Sequence, residues 1–203
     1  MNTINQREAY ELLTADNAAL LLIDHQDGTM GWTSTIPRGE LKRNTLLLAK
    51  AAKAIGMPIV MTTSMETEAQ GPLMKELRDV APEEYDSRIK REGIVDAYMD
   101  PAFAKAVKDT GRNRLIIAGV TTEVCVTFPT IRALREGFEV FVVEDASAAV
   151  TKTAESAAMR RMEKEGAVPV STLQIVAELA RSWALPEGKI LNKFLFEDLF
   201  SRL

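Results

Sequence analysis

Cys125 is the only cysteine in the chain, and the residues before it are ordered as a nucleophile would need. The apolar run 115–118 breaks at Gly119, and Val120, Thr121, Thr122, Glu123 and Val124 lead up to the thiol. That order predicts a buried strand, a tight turn and the start of a helix, a geometry that presents a thiol to a pocket among backbone N–H groups. A thiol attacks as its thiolate, so chemistry at Cys125 calls for a proton acceptor and a nearby cation. Asp24 closes another continuous apolar run, Ala18–Ile23, and supplies a candidate general base. Lys90 and Arg91 close a third candidate strand, and either could stabilise a thiolate and an anionic intermediate. Backbone N–H groups in the 121–125 turn could hold the oxyanion. These parts together describe acyl transfer through a thioester, then hydrolysis by water.

Each residue also has a plainer reading. A lone cysteine is commonly a small buried hydrophobe. An aspartate after a strand is commonly a turn or cap residue, and Lys90–Arg91 could be a solvated pair. The chemical reading rests on their shared placement at strand ends. His25, the single histidine, follows Asp24 directly. Along a regular strand it would point to the opposite face, which disfavours a Cys–His dyad. With one histidine, one cysteine and no paired-ligand spacing, no metal site is expected. The chain also lacks a Gly-x-Gly-x-x-Gly or P-loop pattern, so no nucleotide cofactor is expected.

The elements that must position these residues alternate along the chain. Strands are predicted at Ala18–Ile23, 58–62, 87–90, 114–118, 138–143 and Val168–Val170. Helices are predicted at 40–55, in the later part of 70–80, and at 101–110, 130–135 and 151–165, with a last helix capped by Ser171 or Thr172 and running to Trp183. This rhythm predicts a three-layer αβα, doubly wound, mainly parallel sheet. Ligands in such folds bind at the carboxyl ends of the strands, where Asp24, Lys90–Arg91 and the 121–125 turn all fall. Pro129 leaves two readings open: a kinked helix from Glu123 to Arg135, or a separate turn followed by a regular helix. Trp32, Met65, Glu66 and Tyr98 are candidate pocket residues, with Trp32 and Tyr98 read first as packing residues.

The 203 residues, 46% of them hydrophobic, predict one domain with a substantial core. A tail from about residue 186 to 203 is rich in Leu and Phe, and could pack on its own subunit or dock on a neighbour. The net charge of −4 comes without a basic block, which argues against nucleic-acid binding. No apolar run is long enough to span a membrane. Residues 1–6 lack the pattern of a signal peptide, and one cysteine permits no internal disulfide, so a cytoplasmic setting is expected.

At these residues the chain resembles the isochorismatase-like cysteine hydrolases, and within them the YcaC-like subgroup. The segment 20–26 (Leu-Leu-Leu-Ile-Asp-His-Gln) resembles the motif that carries the acidic residue. The segment 119–126 (Gly-Val-Thr-Thr-Glu-Val-Cys-Val) resembles the nucleophile motif, and 138–147 follows in the family's order. The similarity runs from about Thr14 to Trp183. It implies a triad of Asp24, a basic residue and Cys125, an oxyanion hole from the Thr121 and Cys125 N–H groups, and a cis peptide at Val120–Thr121. It places Arg91 where most of the family has lysine, with Lys90 as the neighbour pointing away. Arginine can hold a charge and orient a carboxylate but does not shuttle a proton. The histidines of the metal-binding nicotinamidase branch are missing, which disfavours that activity. True isochorismatases lack the cysteine, so vinyl-ether cleavage is disfavoured too. The resemblance implies hydrolysis of a C–N bond in a small amide, carbamoyl or ureido compound by a homo-oligomer, octamers included. Two alternatives stay open: a redox-sensing thiol, and a catalytically silent scaffold.

Overall fold

The computed structural model describes residues 11–202; the stretch 1–6, read above for a signal peptide, lies outside the described residues, as does Leu203. β1 (Ala18–Ile23) is followed by the short α1 (Asp27–Gly31), the long α2 (Arg38–Ala54) and β2 (Ile59–Ser64). Next come α3 (Glu76–Val80), α4 (Pro82–Asp86), β3 (Ile89–Arg91), α5 (Pro101–Asp109) and β4 (Arg114–Gly119). The second half holds α6 (Thr127–Arg135), β5 (Glu139–Val143), α7 (Lys152–Lys164), β6 (Val168–Val170), α8 (Thr172–Ala180) and α9 (Pro186–Phe194).

The six strands form one parallel sheet in the order β3-β2-β1-β4-β5-β6. The sheet is doubly wound, as the rhythm predicts, and its strand order reverses between β1 and β4. β1 and β4 are buried at every position, because helices cover both faces. Alternate residues feed two cores. Leu20, Leu22, Ile116 and Ala118 pack with Leu47 and Leu48 of α2, Ile175 of α8 and Leu191 of α9. Leu21, Ile23, Leu115 and Ile117 pack on the other face with Phe103 of α5, Ala133 of α6 and Met162 of α7.

Two expectations are corrected in detail, and the choice at Pro129 is resolved. The third strand runs Ile89–Arg91 rather than 87–90, because Pro82 starts an extra helix, α4, whose last turn is closed by Ser87 N–H donating to the Glu83 carbonyl at 2.9 Å. Of the two readings at Pro129, the structure shows the second, a separate turn followed by a regular helix. Pro129 is the third residue of α6, where its missing N–H has no intrahelical partner to lose. Residues Thr122–Val126 form a separate π-type turn. The last helix ends at Ala180, short of Trp183, where Arg181 takes a positive φ of 55°.

The tail packs on its own subunit. Leu191 and Leu195 are buried against the α2–α8 face, and Lys50 of α2 pairs with Asp198 at 2.7 Å. Ile190 and Phe196 remain exposed on the other side. Among the described residues, no helix is long and apolar enough to cross a membrane.

Candidate active site

The strand order reverses between β1 and β4, which opens a crevice at their carboxyl ends. Asp24 follows β1, Arg91 ends β3 and Cys125 lies in the turn after β4, so the fold brings all three to one cavity of about 350 Å³. Asp24 does not continue its strand. Its φ is +56°, a left-handed conformation that aspartate tolerates better than most residues. The turn is held by the Thr29 hydroxyl donating to the Asp24 carbonyl at 2.6 Å and the Gln26 N–H donating to it at 2.7 Å. The carboxylate is thereby directed across the sheet end.

Arg91 meets it there, with its side chain fully enclosed. Its Nη2 donates to both Asp24 oxygens at 2.5 Å, its Nε to Thr62 Oγ1 at 3.0 Å, and its Nη1 to the Ile94 carbonyl at 2.5 Å. Lys90 points the other way: its side chain is 61% exposed and its Nζ lies 3.4 Å from Glu66. The basic partner of Asp24 is therefore Arg91, placed by alternation along β3.

Cys125 is half-buried, and its thiol hydrogen-bonds to the Asp24 carboxylate. Burial pushes the Asp24 carboxyl above the ordinary carboxylate range, with Arg91 and the thiol contact opposing the shift. Burial and the Asp24 negative charge push the Cys125 thiol well up, while the Thr121 backbone N–H and Arg91 pull it down. The resting pair therefore keeps its proton on sulfur. The Val120–Thr121 peptide is cis, and the Thr121 N–H faces the Cys125 sulfur.

His25 is fully buried, its Nε2 lies 2.9 Å from the Ala146 carbonyl, and burial lowers its pKa to about 4. It is not in the cysteine's cluster. The turn at Asp24, rather than regular strand alternation, sends it into the core.

Of the candidate pocket residues, Trp32 lines the cavity, and Met65, Glu66 and Tyr98 do not. Glu66 is taken by Arg88 at 2.6 Å, and Tyr98 packs edge-on against Phe103 and Phe138. Several lining residues were not anticipated, among them Ile94, Val95, Glu123 and Val150. Ile94 and Val95 follow β3 beyond Gly93, an apolar pair after a turn glycine, and that was the available signal. Gln26 was also missed as a brace. Its side chain donates to the Ser64 carbonyl at 2.8 Å and the Gly71 carbonyl at 2.5 Å, and accepts from the Ser64 N–H at 2.8 Å. It ties the crevice loop to the end of β2.

Fold and site together define a doubly wound α/β protein whose crevice presents a thiol to a carboxylate held by an arginine. The isochorismatase domain model matches residues 18–174, and the chain belongs to the isochorismatase family. Its sequence is 41% identical to the probable hydrolase YcaC of Escherichia coli strain K12, over 86% of this chain and 83% of that protein. The structure of E. coli YcaC, described as an octameric hydrolase of unknown specificity, superposes with a TM-score of 0.89 at 38% identity. The match covers 95% of this chain and 93% of that one. YcaC from Pseudomonas aeruginosa, solved with hexane-2,5-diol and covalent acrylamide, also gives a TM-score of 0.89, at 39% identity and over 95% and 94% of the two chains.

Proposed function

We propose that the chain is a cysteine hydrolase that opens a C–N bond of a small amide, carbamoyl or ureido substrate through a Cys125 thioester. The observation that carries this reading is the hydrogen-bonded pair of Cys125 and Asp24 in one cavity, with Arg91 fixed on the carboxylate. In the first half-reaction Asp24 takes the Cys125 proton as sulfur attacks the carbonyl carbon. The Thr121 and Cys125 N–H groups hold the oxyanion. Collapse breaks the C–N bond, and the departing nitrogen takes the proton from Asp24. In the second half-reaction water attacks the thioester, giving its proton to Asp24. The C–S bond then breaks, the acid leaves, and the proton returns to sulfur. Arg91 moves no proton; it orients Asp24 and keeps a positive charge beside it.

A free thiol fits a reducing, cytoplasmic setting. The octameric E. coli relative favours a homo-oligomer here, and the exposed Ile190 and Phe196 offer apolar surface for it. The mechanism is tested by incubating the protein with a panel of small primary amides and ureas, following ammonia release and intact mass. Turnover with an acyl adduct on Cys125, both absent in Cys125→Ala, is the expected result. Equal ammonia release by Cys125→Ala would refute the thioester.

A further inference from the structure

The cavity has an uneven charge balance. Besides the Cys125 thiol, the ionisable residues among those that line it are Asp24, Arg91 and Glu123. Asp24 and Arg91 neutralise one another at 2.5 Å, and the other contacts of Arg91 are to protein oxygens. That leaves Glu123 without a cation in the cavity wall. Its Oε1 accepts from the Val150 N–H at 3.0 Å, which fixes the side chain, while its Oε2 is enclosed with no partner among the described residues. Glu123 stands two residues from Cys125 in the same turn. The rest of the wall includes the apolar side chains of Trp32, Ile94, Val95 and Val150, all substantially exposed toward solvent in this subunit.

We infer that Glu123 is a specificity residue: its carboxylate is the one charge of the cavity wall without a counter-ion there, and the cavity selects neutral or cationic amides over anionic ones. This rests on Cys125 being the nucleophile and narrows its substrate class. The scissile carbonyl sits at the thiol, a second nitrogen-bearing group (an ammonium, amidinium or further amide N–H) lies on the Glu123 side of the cavity, and the apolar body lies against Trp32 and Val95. A carboxylate or phosphate substituent meets a negative group and no free cation, so such substrates are rejected by repulsion as well as by desolvation.

The test is charge-selective labelling of Cys125 with three methanethiosulfonates of similar size: a neutral alkyl reagent, the 2-trimethylammonioethyl reagent and the 2-sulfonatoethyl reagent. Second-order rates are measured by intact mass in wild type, Glu123→Gln and Glu123→Asp. Each rate is divided by the same reagent's rate with a free thiol such as glutathione. The expected cation-to-anion ratio in wild type is at least ~10 after this correction. It falls toward one in Glu123→Gln, which keeps an acceptor for the Val150 N–H, and survives in Glu123→Asp. The neutral reagent's rate changes by no more than about 3-fold, which shows that access is preserved. A ratio near one in wild type, or a ratio unchanged in Glu123→Gln, overturns the role of Glu123 and leaves the thioester chemistry standing. No labelling of Cys125 by any reagent overturns both.

Discussion

Replacing Arg91 with methionine strands a carboxylate in the interior, and the consequence can be worked out from the pair itself. Asp24 is 1% exposed and Arg91 donates to both of its oxygens. Methionine fills much of the arginine stem's space and supplies no charge. Removing one partner of a buried pair costs about 3–5 kcal/mol, because the other charge is left uncompensated. The cost depends on pH with a definite sign. The Asp24 pKa is already raised by burial, and losing Arg91 removes the largest opposing influence, so it rises further. A carboxyl whose folded pKa lies above its unfolded value contributes stability below the unfolded pKa and loses it as pH rises through the folded pKa. The deficit of Arg91→Met relative to wild type should therefore shrink on acidification from pH 8 to pH 5, by at most about 1.4 kcal/mol per pH unit. Asp24→Asn leaves the arginine unpaired instead, and asparagine also tolerates the positive φ of 56°, so no backbone penalty is added. The double variant Asp24→Asn/Arg91→Met buries no charge and should cost no more than either single change. Urea unfolding at fixed protomer concentration, with midpoints and slopes measured at pH 5, 6, 7 and 8, reads all four proteins. Additive single effects, or an Arg91→Met deficit that does not change with pH, would refute the buried-pair account.

Three further outcomes follow from neighbouring residues. Asp24→Asn removes a negative charge that holds the Cys125 thiol up, so iodoacetamide should modify Cys125 faster at neutral pH while amide turnover falls by about 100-fold or more; slower alkylation would count against the charge coupling. His25 is buried with a pKa of about 4, so wild-type stability should fall by about 3 kcal/mol as pH drops from 6.5 to 4, a loss that His25→Asn should not show in urea unfolding extended down to pH 4. A Cβ on Gly119 would lie 2.7 Å from the Ile23 carbonyl and 3.0 Å from Val126 Cγ2, so Gly119→Ala should cost about 1–3 kcal/mol and lower turnover by shifting the Cys125 turn; a wild-type midpoint and rate would show that the close approach is not needed.

β1 and β4 were legible because strands covered on both faces read as continuous apolar runs, and their ends marked Asp24 and Cys125 directly. Arg91 was legible through alternation along a three-residue strand, although the strand's start was not. There the competing signal was local: Pro82 with Glu83 and Glu84 is a helix start, and α4 consumed residues that read as the approach to a strand. The π-type turn at Thr122–Val126 was beyond a reading based on 3.6-residue spacing, because its extra residue per turn arises from how the chain leaves β4 and enters α6. Glu123 and Gln26 escaped notice for a different reason. Each acts through partners 27 to 45 residues away, Val150 for one, Ser64 and Gly71 for the other, and no local pattern encodes such a pairing.

The directions of the two site pKa shifts bear on why an arginine can serve where a lysine would be expected. Burial raises both Asp24 and Cys125, so the resting proton stays on sulfur. Attack requires Asp24 to be ionised and ready to accept that proton, and Arg91 opposes the burial shift without titrating itself. A lysine at the same place has one nitrogen to offer, whereas Arg91 uses three, on Asp24, Thr62 and Ile94. The Ile94 contact matters beyond charge, because Ile94 is part of the cavity wall and its carbonyl is anchored to the same guanidinium that orients the base. On the proposed mechanism, substrate wall and proton acceptor share one fixed group, and a change at Arg91 should disturb binding and chemistry together rather than one alone.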